Sequence, residues 1–355
     1  MRDRIRMAHS VSASPAMCAA VSSDGAVTMT MVPRALHADG FITVRVTHAL
    51  VTPLEREAAR GLGANAQRSQ TNDAPVREPR VIGHAACGVV EHAVTGASNA
   101  TPLTRGTRVI VHPVLSCGAC DRCRSGLALH CRARNILGVD APRGALAEYV
   151  TVPAASVTPI PHGLDEERAV FAAPLSRAIE AVRRGGVEKK TFASILGDDL
   201  VAILTTLVAV EENPLARLVA AHDATLSVAE QFGIRHRALH ETGQRGDQEL
   251  VIETTGSAES IASAARMVRA RGHVVVAGIS ARAPVAVDLS HVALDEIEIH
   301  GSGFGPLTGA IERLASRAID PSPLISRRLG FTDVPRALTA LAEPGVFAVL
   351  VQVSR

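Results

Sequence analysis

The sequence is poor in aromatic residues, in net charge and in long apolar runs, and each shortage excludes a class of protein. It has no Trp, one Tyr and seven Phe, too few to stack the bases of a single-stranded nucleic acid. The 37 Lys and Arg against 35 Asp and Glu leave a net charge of +2, which attracts neither nucleic acid nor an anionic membrane. No run approaches the ~18 apolar residues of a membrane-spanning helix. The 355 residues therefore predict a soluble, cytoplasmic, globular protein of about two domains.

The first 16 residues do not resemble a folded segment. They carry three arginines followed by small and hydroxylated residues, but they lack the continuous apolar core of a secretory signal. A strand-like pattern begins only near Ala26. We expect residues 1–16 to be a disordered extension, or the result of a mis-assigned start.

Four of the six cysteines fall within fifteen residues: Cys117, Cys120, Cys123 and Cys131. Disulfides between cysteines three apart would be strained, and nothing marks the chain as secreted. Four thiolates at this spacing suit one tetrahedral Zn²⁺ ion, and because no coordination position stays open, the expected role is structural. The alternative is a decayed site with four unligated thiols.

The chain changes its pattern near residue 166. From 42 to 161 it consists of short strands broken by Gly and Pro, which indicates a β-rich unit, and residues 59–80 between them predict a long polar surface loop. From Glu166 onwards strands alternate with helices. This alternation predicts parallel strands with crossover helices, and hence an α/β fold with a doubly wound sheet.

Four segments carry a family resemblance in their order along the chain: VIGHAACGVVE, GTRVIVHPVLSCGACDRCRSGLALHC, GALAEYVTVPAASVTPIPHGLDEERAVFAAPL and ELVIETTGSAESIASAARMVRARGHVVVAG. With them the chain resembles the zinc-dependent medium-chain dehydrogenase/reductases, the alcohol dehydrogenase-like family, over nearly all of residues 17–355. The resemblance implies a GroES-like catalytic domain at 17–165 and 304–355, with the zinc lobe at 112–134. It also implies a Rossmann dinucleotide-binding domain at 166–303 and a cleft between the two.

The catalytic zinc of that family lacks most of its expected ligands here. The resemblance places Thr52 where the family has a ligand Cys, and Ala85 beside His84 where a Glu is common. Ala173 stands where an acidic group is often supplied, and Leu54 replaces the hydroxyl that relays the proton. Neutral side chains cannot replace thiolate and carboxylate charge on Zn²⁺. We expect one structural zinc per chain and a divergent member without the catalytic ion.

Three residues beside the altered ligand segments are the candidates for proton transfer in catalysis: His84, Glu55 and Glu57. A shifted metal site that uses these three residues with His48 is a weaker alternative. A further alternative, which we favour for the two glutamates, is that they point into solvent at the mouth of the 59–80 loop.

The cofactor fingerprint is altered as well. Gly197 serves the turn and Ala202 replaces the third glycine, but Asp199 puts a carboxylate where the pyrophosphate of a dinucleotide belongs. Such a carboxylate also competes for the free N–H groups of the helix N-terminus. Three residues resemble the loops on the nicotinamide side, and folding alone would explain them: Thr255, Gly256 and Gly278.

These observations predict an oxidoreductase that transfers hydride between NAD or NADP and a small activated carbonyl or enone, without catalytic zinc. The alternative is a non-redox enzyme or a pseudoenzyme that keeps the dehydrogenase fold but has lost tight dinucleotide binding. A zinc-ribbon nucleic-acid module is excluded by the charge and the lack of aromatics. The expected partners are a small-molecule substrate and further copies of the chain, in a homo-dimer or homo-tetramer.

Overall fold

The computed structural model describes residues 15–23, 25–35, 38–62, 79–93, 103–141, 143–190, 192–242, 245–281 and 288–354. They divide into two compact units. One unit contains the described residues up to 173 together with 327–340 and 348–354, and the other contains 174–326 and 341–347. Residues 1–14 of the predicted 1–16 extension and most of the predicted 59–80 loop lie outside the described residues, and Ala16 already belongs to a strand. The functional domain limits given above stay a prediction.

The described residues form eighteen strands and ten α-helices. The strands are β1 (Ala16–Ser23), β2 (Ala26–Pro33), β3 (Phe41–Val51), β4 (Arg80–Val81), β5 (Ala85–His92), β6 (Arg108–Val111), β7 (Val114–Leu115), β8 (Asn135–Ile136), β9 (Tyr149–Pro153), β10 (Val157–Pro159), β11 (Ala193–Leu196), β12 (Arg217–Ala220), β13 (His236–Ala238), β14 (Gln248–Glu253), β15 (Val268–Val276), β16 (Glu298–Gly301), β17 (Ile325–Gly330) and β18 (Ala348–Gln352). The helices are α1 (Pro53–Ala59), α2 (Asp121–Arg124), α3 (Glu166–Ala169), α4 (Ala172–Gly185), α5 (Leu200–Glu212), α6 (Asp223–Gln231), α7 (Ala258–Met267), α8 (Ser290–Leu294), α9 (Leu307–Ser316) and α10 (Val334–Ala340). Within the described part of the chain, no helix is long and apolar enough to cross a membrane.

The first unit is β-rich, as the sequence predicts. Its largest sheet has the order β10-β6-β5-β3-β18-β17, with β9 also paired to β3, and a smaller sheet has the order β2-β1-β4. Strand β3 (FITVRVTHALV) supplies the core of the large sheet, where Ile42, Val44 and Val46 are fully buried. Strand β3 ends at Val51, shortly before α1. Helix α1 contains the candidate catalytic residues Glu55 and Glu57.

The expectation that strand structure begins near Ala26 is wrong. Strand β1 begins at Ala16 and pairs antiparallel with β2 along its whole length. Its small residues, AMCAAVSS, give a weak alternating signal, and the strand is stabilised by packing against Val81 and Ala147. Tertiary contacts decide its conformation more than local propensity does.

The second unit confirms the predicted doubly wound sheet. Its six strands lie in the order β13-β12-β11-β14-β15-β16, and every neighbouring pair is parallel. Counted along the chain this is 3-2-1-4-5-6, the strand order of a Rossmann fold. Helix α5, LVAILTTLVAVEE, is apolar on nearly all sides because most of its residues are buried.

The strand order reverses between β11 and β14, which are neighbours in the sheet. Ligands of open α/β sheets bind outside the carboxyl ends of the strands at such a switch point. Residues 197–199 follow β11 and residues 254–256 follow β14. The fold therefore brings the predicted cofactor residues of both segments to one edge of the sheet.

Candidate functional sites

The four clustered cysteines bring their sulfur atoms together. The Sγ–Sγ distances are 3.5 Å for Cys117–Cys131, 3.6 Å for Cys120–Cys123, 3.8 Å for Cys120–Cys131 and 4.0 Å for Cys117–Cys123. A tetrahedral zinc with Zn–S bonds of about 2.3 Å separates its ligands by about 3.8 Å. The cysteines therefore fit the predicted zinc ion.

The backbone of this lobe supports thiolate charge. The N–H groups of Cys117 and Ala133 donate to Cys131 Sγ, each at 3.4 Å. Backbone hydrogen bonds from Cys123 and Arg132 lower the pKa of Cys120 to about 6, whereas desolvation raises the pKa of Cys123 to about 11. A divalent cation bound among these sulfur atoms favours their thiolate form, since a metal ligand must be deprotonated.

His84 and Glu55 form a buried pair in the first unit. The side chains of both residues are only 1% exposed, and the Glu55 carboxylate contacts His84 Nδ1. The same carboxylate accepts from the N–H of His84 at 3.0 Å, from the N–H of Thr52 at 2.8 Å and from Thr52 Oγ1 at 2.7 Å. Thr52 and Glu55 are the two ends of a capping box that begins α1.

Burial and the partners of Glu55 act on its pKa in opposite directions. Desolvation raises the pKa of Glu55. The charge and hydrogen bond of His84, together with the hydrogen bonds of Thr52, lower this pKa by more, so that the net shift is downward. Glu55 is therefore ionised at neutral pH. A buried carboxylate beside an imidazole forms a pair that can hold or donate a proton.

The expectation that Glu55 and Glu57 point into solvent is wrong, because they are 1% and 8% exposed. Glu57 directs its carboxylate to Arg60, at 2.9 Å, rather than joining the pair. His48 Nδ1 lies 2.9 Å from Glu166 Oε2. Among the described residues, no cluster of three potential metal ligands includes His84.

Asp199 occupies the start of the helix at the switch point. It is the N-cap of α5, and its Oδ1 accepts from the N–H of Ala202 at 2.8 Å and from Thr254 Oγ1 at 3.0 Å. Gly197 has no room for a side chain, since a Cβ would lie 2.0 Å from Thr254 Oγ1. The N–H group of Ala202 belongs to the helix N-terminus, where such groups can bind a phosphate. It already donates to a carboxylate of the chain itself.

The environment of Asp199 is also unfavourable for its charge. Burial raises the pKa of the carboxyl to about 6, and Glu253 acts in the same direction, while its hydrogen bonds and Arg177 only partly offset this. Asp199 therefore changes its protonation state near pH 6.

Asp198 bonds the end of the next strand. Its carboxylate accepts from the N–H groups of Ala221, at 3.0 Å, and of His222, at 2.9 Å. His222 Nδ1 lies 3.1 Å from Asp198 Oδ1. The segment that would contact the ribose or a 2′-phosphate in a dinucleotide-binding relative is therefore bonded to the β11–α5 turn.

The predicted nicotinamide-side loops are held by Glu253, a fully buried carboxylate at the end of β14. Its Oε1 accepts from the N–H and the hydroxyl of Thr255, at 2.6 and 2.5 Å, and from the N–H of Gly256 at 3.0 Å. Gly256 has φ +72°, and a Cβ on Gly278 would lie 1.9 Å from the N atom of Gly256. Both glycines are therefore required by the close approach of the two loops.

The roles of Glu253 and Asp198, and the pairing of Glu55 with His84, are not among the sequence-based predictions. The Thr-x-x-Glu spacing of Thr52 and Glu55 is a readable signal of a capping box, and it would have predicted that the Glu55 carboxylate bonds back to the N–H of Thr52. Glu253 ends an apolar run at the carboxyl end of a strand, where a charged residue is a site candidate. The bonding partners of Asp198 follow only from the folded sheet.

Comparisons with known proteins agree with this fold. The Alcohol dehydrogenase GroES-like domain family matches residues 38–162. The L-idonate 5-dehydrogenase of Vitis vinifera is 30% identical over 291 residues, 76% of this chain and 78% of that protein. The 2-dehydro-3-deoxy-L-galactonate 5-dehydrogenase of Pseudoalteromonas atlantica is 29% identical over 278 residues, 75% of this chain and 80% of that protein.

Among solved structures, a zinc-binding dehydrogenase from Sinorhizobium meliloti bound to NADP has a TM-score of 0.79 at 25% identity, covering 96% of this chain and all of that one. The thermostable alcohol dehydrogenase from Pyrobaculum aerophilum, with cobalt and zinc bound, has a TM-score of 0.79 at 23% identity over the same shares, 96% and 100%. The chain therefore belongs to the medium-chain dehydrogenase/reductase family and is an alcohol dehydrogenase-like oxidoreductase.

Proposed function

We propose that this oxidoreductase transfers hydride between NAD(P) and a small, already electrophilic carbonyl or enone, without a catalytic zinc ion. One observation carries the proposal. At the positions where the family binds its catalytic metal, Ala85 and Ala173 offer no donor atom, and the Thr52 hydroxyl donates to Glu55. Only His84 keeps a ligand type, and its ring contacts Glu55. An activated substrate needs no Lewis acid to accept hydride.

Two residues would move the proton in this reaction. The ionised Glu55 holds the imidazole of His84 in one orientation, and His84 donates the proton that the reduced substrate needs. Because both side chains are 1% exposed, the pair serves only a substrate that enters the interior of the unit. NAD(P) supplies the hydride when bound, and zinc bound by the cysteine lobe stabilises the fold.

The backbone of the described residues has the features of a dinucleotide site, but two carboxylates lie where the phosphates of the cofactor would bind. The strand order, the Gly197 turn and the N-terminus of α5 agree with a cofactor site. Asp199, however, bonds the helix N–H, and Asp198 bonds the end of β12. We expect weak binding of NAD(P), because its phosphates compete with these carboxylates.

A second candidate function follows from the same two aspartates. If they exclude the dinucleotide altogether, the chain is a non-redox enzyme or a pseudoenzyme on the dehydrogenase fold. The Glu55–His84 pair would then perform acid–base chemistry alone, or hold only a structural role.

Titration with NADPH and NADH, followed by fluorescence and calorimetry, tests the proposal. The wild type should bind one of them weakly, and Asp199→Gly should bind it about 5- to 150-fold more tightly, which corresponds to about 1–3 kcal/mol for relief of an unfavourable buried polar group. Asp165→Gly is the control: it removes an N-cap from α3, in the other unit, and should leave cofactor affinity unchanged. No binding by either the wild type or Asp199→Gly at millimolar cofactor would favour the non-redox function.

A further inference from the structure

A group of three ligand-type side chains lies at the edge of the parallel sheet, apart from the sites above. Strand β16 ends the sheet and pairs in parallel with β15, so that His273 lies opposite Glu298 and Val275 opposite His300. Because side chains alternate along a strand, Glu298 and His300 share one face, and His273 joins them across the strand pair.

The distances within this group suit a metal ion. Glu298 Oε2 lies 3.0 Å from His300 Nε2 and 3.6 Å from His273 Nδ1. One ligand atom from each residue lies within 4.8 Å of the other two. A tetrahedral ion bonded to N and O atoms at about 2.0–2.1 Å separates them by about 3.4 Å, a value between the two measured distances.

Exposure and charge also favour binding at this group. The side chains of His273, Glu298 and His300 are 28%, 61% and 33% exposed, so that an ion can reach them from solvent. Glu298 supplies the negative charge.

We propose that His273, Glu298 and His300 bind a divalent transition-metal ion of the zinc type, separately from the cysteine lobe. Two imidazole nitrogens and one carboxylate oxygen leave one tetrahedral position for water. The ion connects β15 to the edge strand β16 through its side chains, so it stabilises the outer part of the sheet.

A second group of potential metal ligands consists of His48, Cys87 and Glu166. Two of these residues already bond other groups. Arg108 Nε donates to Glu166 at 3.0 Å, and the Cys87 thiol donates to the Glu166 carbonyl at 3.6 Å. Burial raises the pKa of Cys87 far above its usual range, which disfavours the thiolate that a metal needs. We therefore assign the edge site and not this one.

The test uses whole protein with zinc in the cysteine lobe, dialysed to remove weakly held metal and then titrated with zinc chloride by calorimetry. We expect one further ion per chain. Glu298→Gln and His300→Gln should each weaken its binding by more than about tenfold, since even outer-shell changes cost 10- to 100-fold at zinc sites. His291→Gln is the matched control, because His291 is an exposed histidine on α8 that pairs with Asp295 at 2.6 Å.

Titration with Co²⁺ identifies the ligands independently. Imidazole and carboxylate donors give weak visible bands, without the sulfur-to-metal charge-transfer absorption of a thiolate site. The proposal is overturned if the wild type takes up no further ion, if both variants bind it as the wild type does, or if bound Co²⁺ shows thiolate absorption. Circular dichroism verifies that each variant is folded, which is expected because the exchanged side chains lie at the surface.

Discussion

At the cofactor edge of the sheet, individual carboxyl groups accept hydrogen bonds from backbone N–H groups that could otherwise bind a phosphate. Asp199 accepts from the N–H of Ala202, so a phosphate must displace a charged group that already satisfies the helix N-terminus. Asp198 and Glu253 bond the neighbouring loops in the same way. Several backbone N–H groups at the cofactor edge of the sheet therefore already bond carboxylates of the chain itself.

Cofactor binding should depend on pH through Asp199. Burial raises the pKa of this carboxyl to about 6, so it is charged well above pH 6 and neutral well below it. Removal of the charge weakens its competition with phosphate. We expect the wild type to bind NADPH more tightly as the pH falls through about 6. The variant Asp199→Asn should bind NADPH equally well above and below this pH. A wild-type affinity that stays constant across this range would contradict the prediction, and calorimetry at two pH values measures it.

The Glu55–His84 pair should contribute to stability only above the acid range. The folded pKa of Glu55 lies below its ordinary value, so its contribution is complete above pH ~4.5 and is lost as the pH falls through the lowered folded pKa. At neutral pH, Glu55→Gln should destabilise the protein by about 1–3 kcal/mol, because the buried donors of Thr52 and His84 lose their charged acceptor. The deficit should shrink in acid, as measured by urea unfolding.

Glu57→Gln is the control for that experiment. Its partner Arg60 has a half-exposed side chain, and such pairs contribute about 0–1 kcal/mol. Equal losses of unfolding free energy for Glu55→Gln and Glu57→Gln would contradict the prediction, because the buried Glu55–His84 pair would then contribute no more than a partly exposed one.

At the scale of elements, the cysteine lobe should depend on its metal. Cys120→Ser leaves three thiolates, and because a structural zinc contributes directly to folding free energy, we expect loss of the ion and a lower melting temperature. Cys18→Ser, in β1 and outside the lobe, should change neither. Elemental analysis after dialysis against a mild chelator should give about one zinc per chain for the wild type and for Cys18→Ser. Retention of full zinc by Cys120→Ser would contradict the assignment.

Elements with strong periodic signals could be predicted from the sequence, and those that depend on distant partners could not. The alternation after Glu166 and the apolar helix α5 were sufficient to predict the parallel sheet, which the structure confirms. Strand β1 has small side chains and forms because β2 and β4 lie beside it. The cysteine spacing likewise sufficed to predict that the four sulfur atoms lie together. The burial of Glu55 required a contact across 29 residues with His84, which no local pattern encodes.

At the scale of the whole molecule, fold and chemistry are specified by different residues. Several relatives are named for the oxidation of sugar acids or polyols, such as L-idonate 5-dehydrogenase and sorbitol dehydrogenase. The sheets and the cysteine lobe of the family are present here. Thr52 and Ala85, however, stand at the expected positions of a catalytic ligand and of the acidic group beside His84. Family membership therefore predicts hydride chemistry but not the substrates of these relatives.

We accordingly expect negligible oxidation of L-idonate, sorbitol or ethanol by zinc-replete protein with NAD or NADP. Oxidation of an unactivated alcohol develops alkoxide charge, and stabilisation of such charge is usually one of the main sources of an enzyme's rate enhancement. Of the positions at which the resemblance places the catalytic ligands, His84 keeps a ligand type, and its ring contacts Glu55. Reduction of a conjugated enone or an iminium compound with NADPH should be faster, because hydride adds there without a metal. His84→Gln should lower this rate and flatten its pH profile, since the proton donor is lost. Spectrophotometric assays of NADPH oxidation and formation measure both directions. Turnover of a polyol at ordinary enzyme rates would contradict the prediction and would mean that alkoxide charge is stabilised by groups other than the positions at which the family binds its zinc.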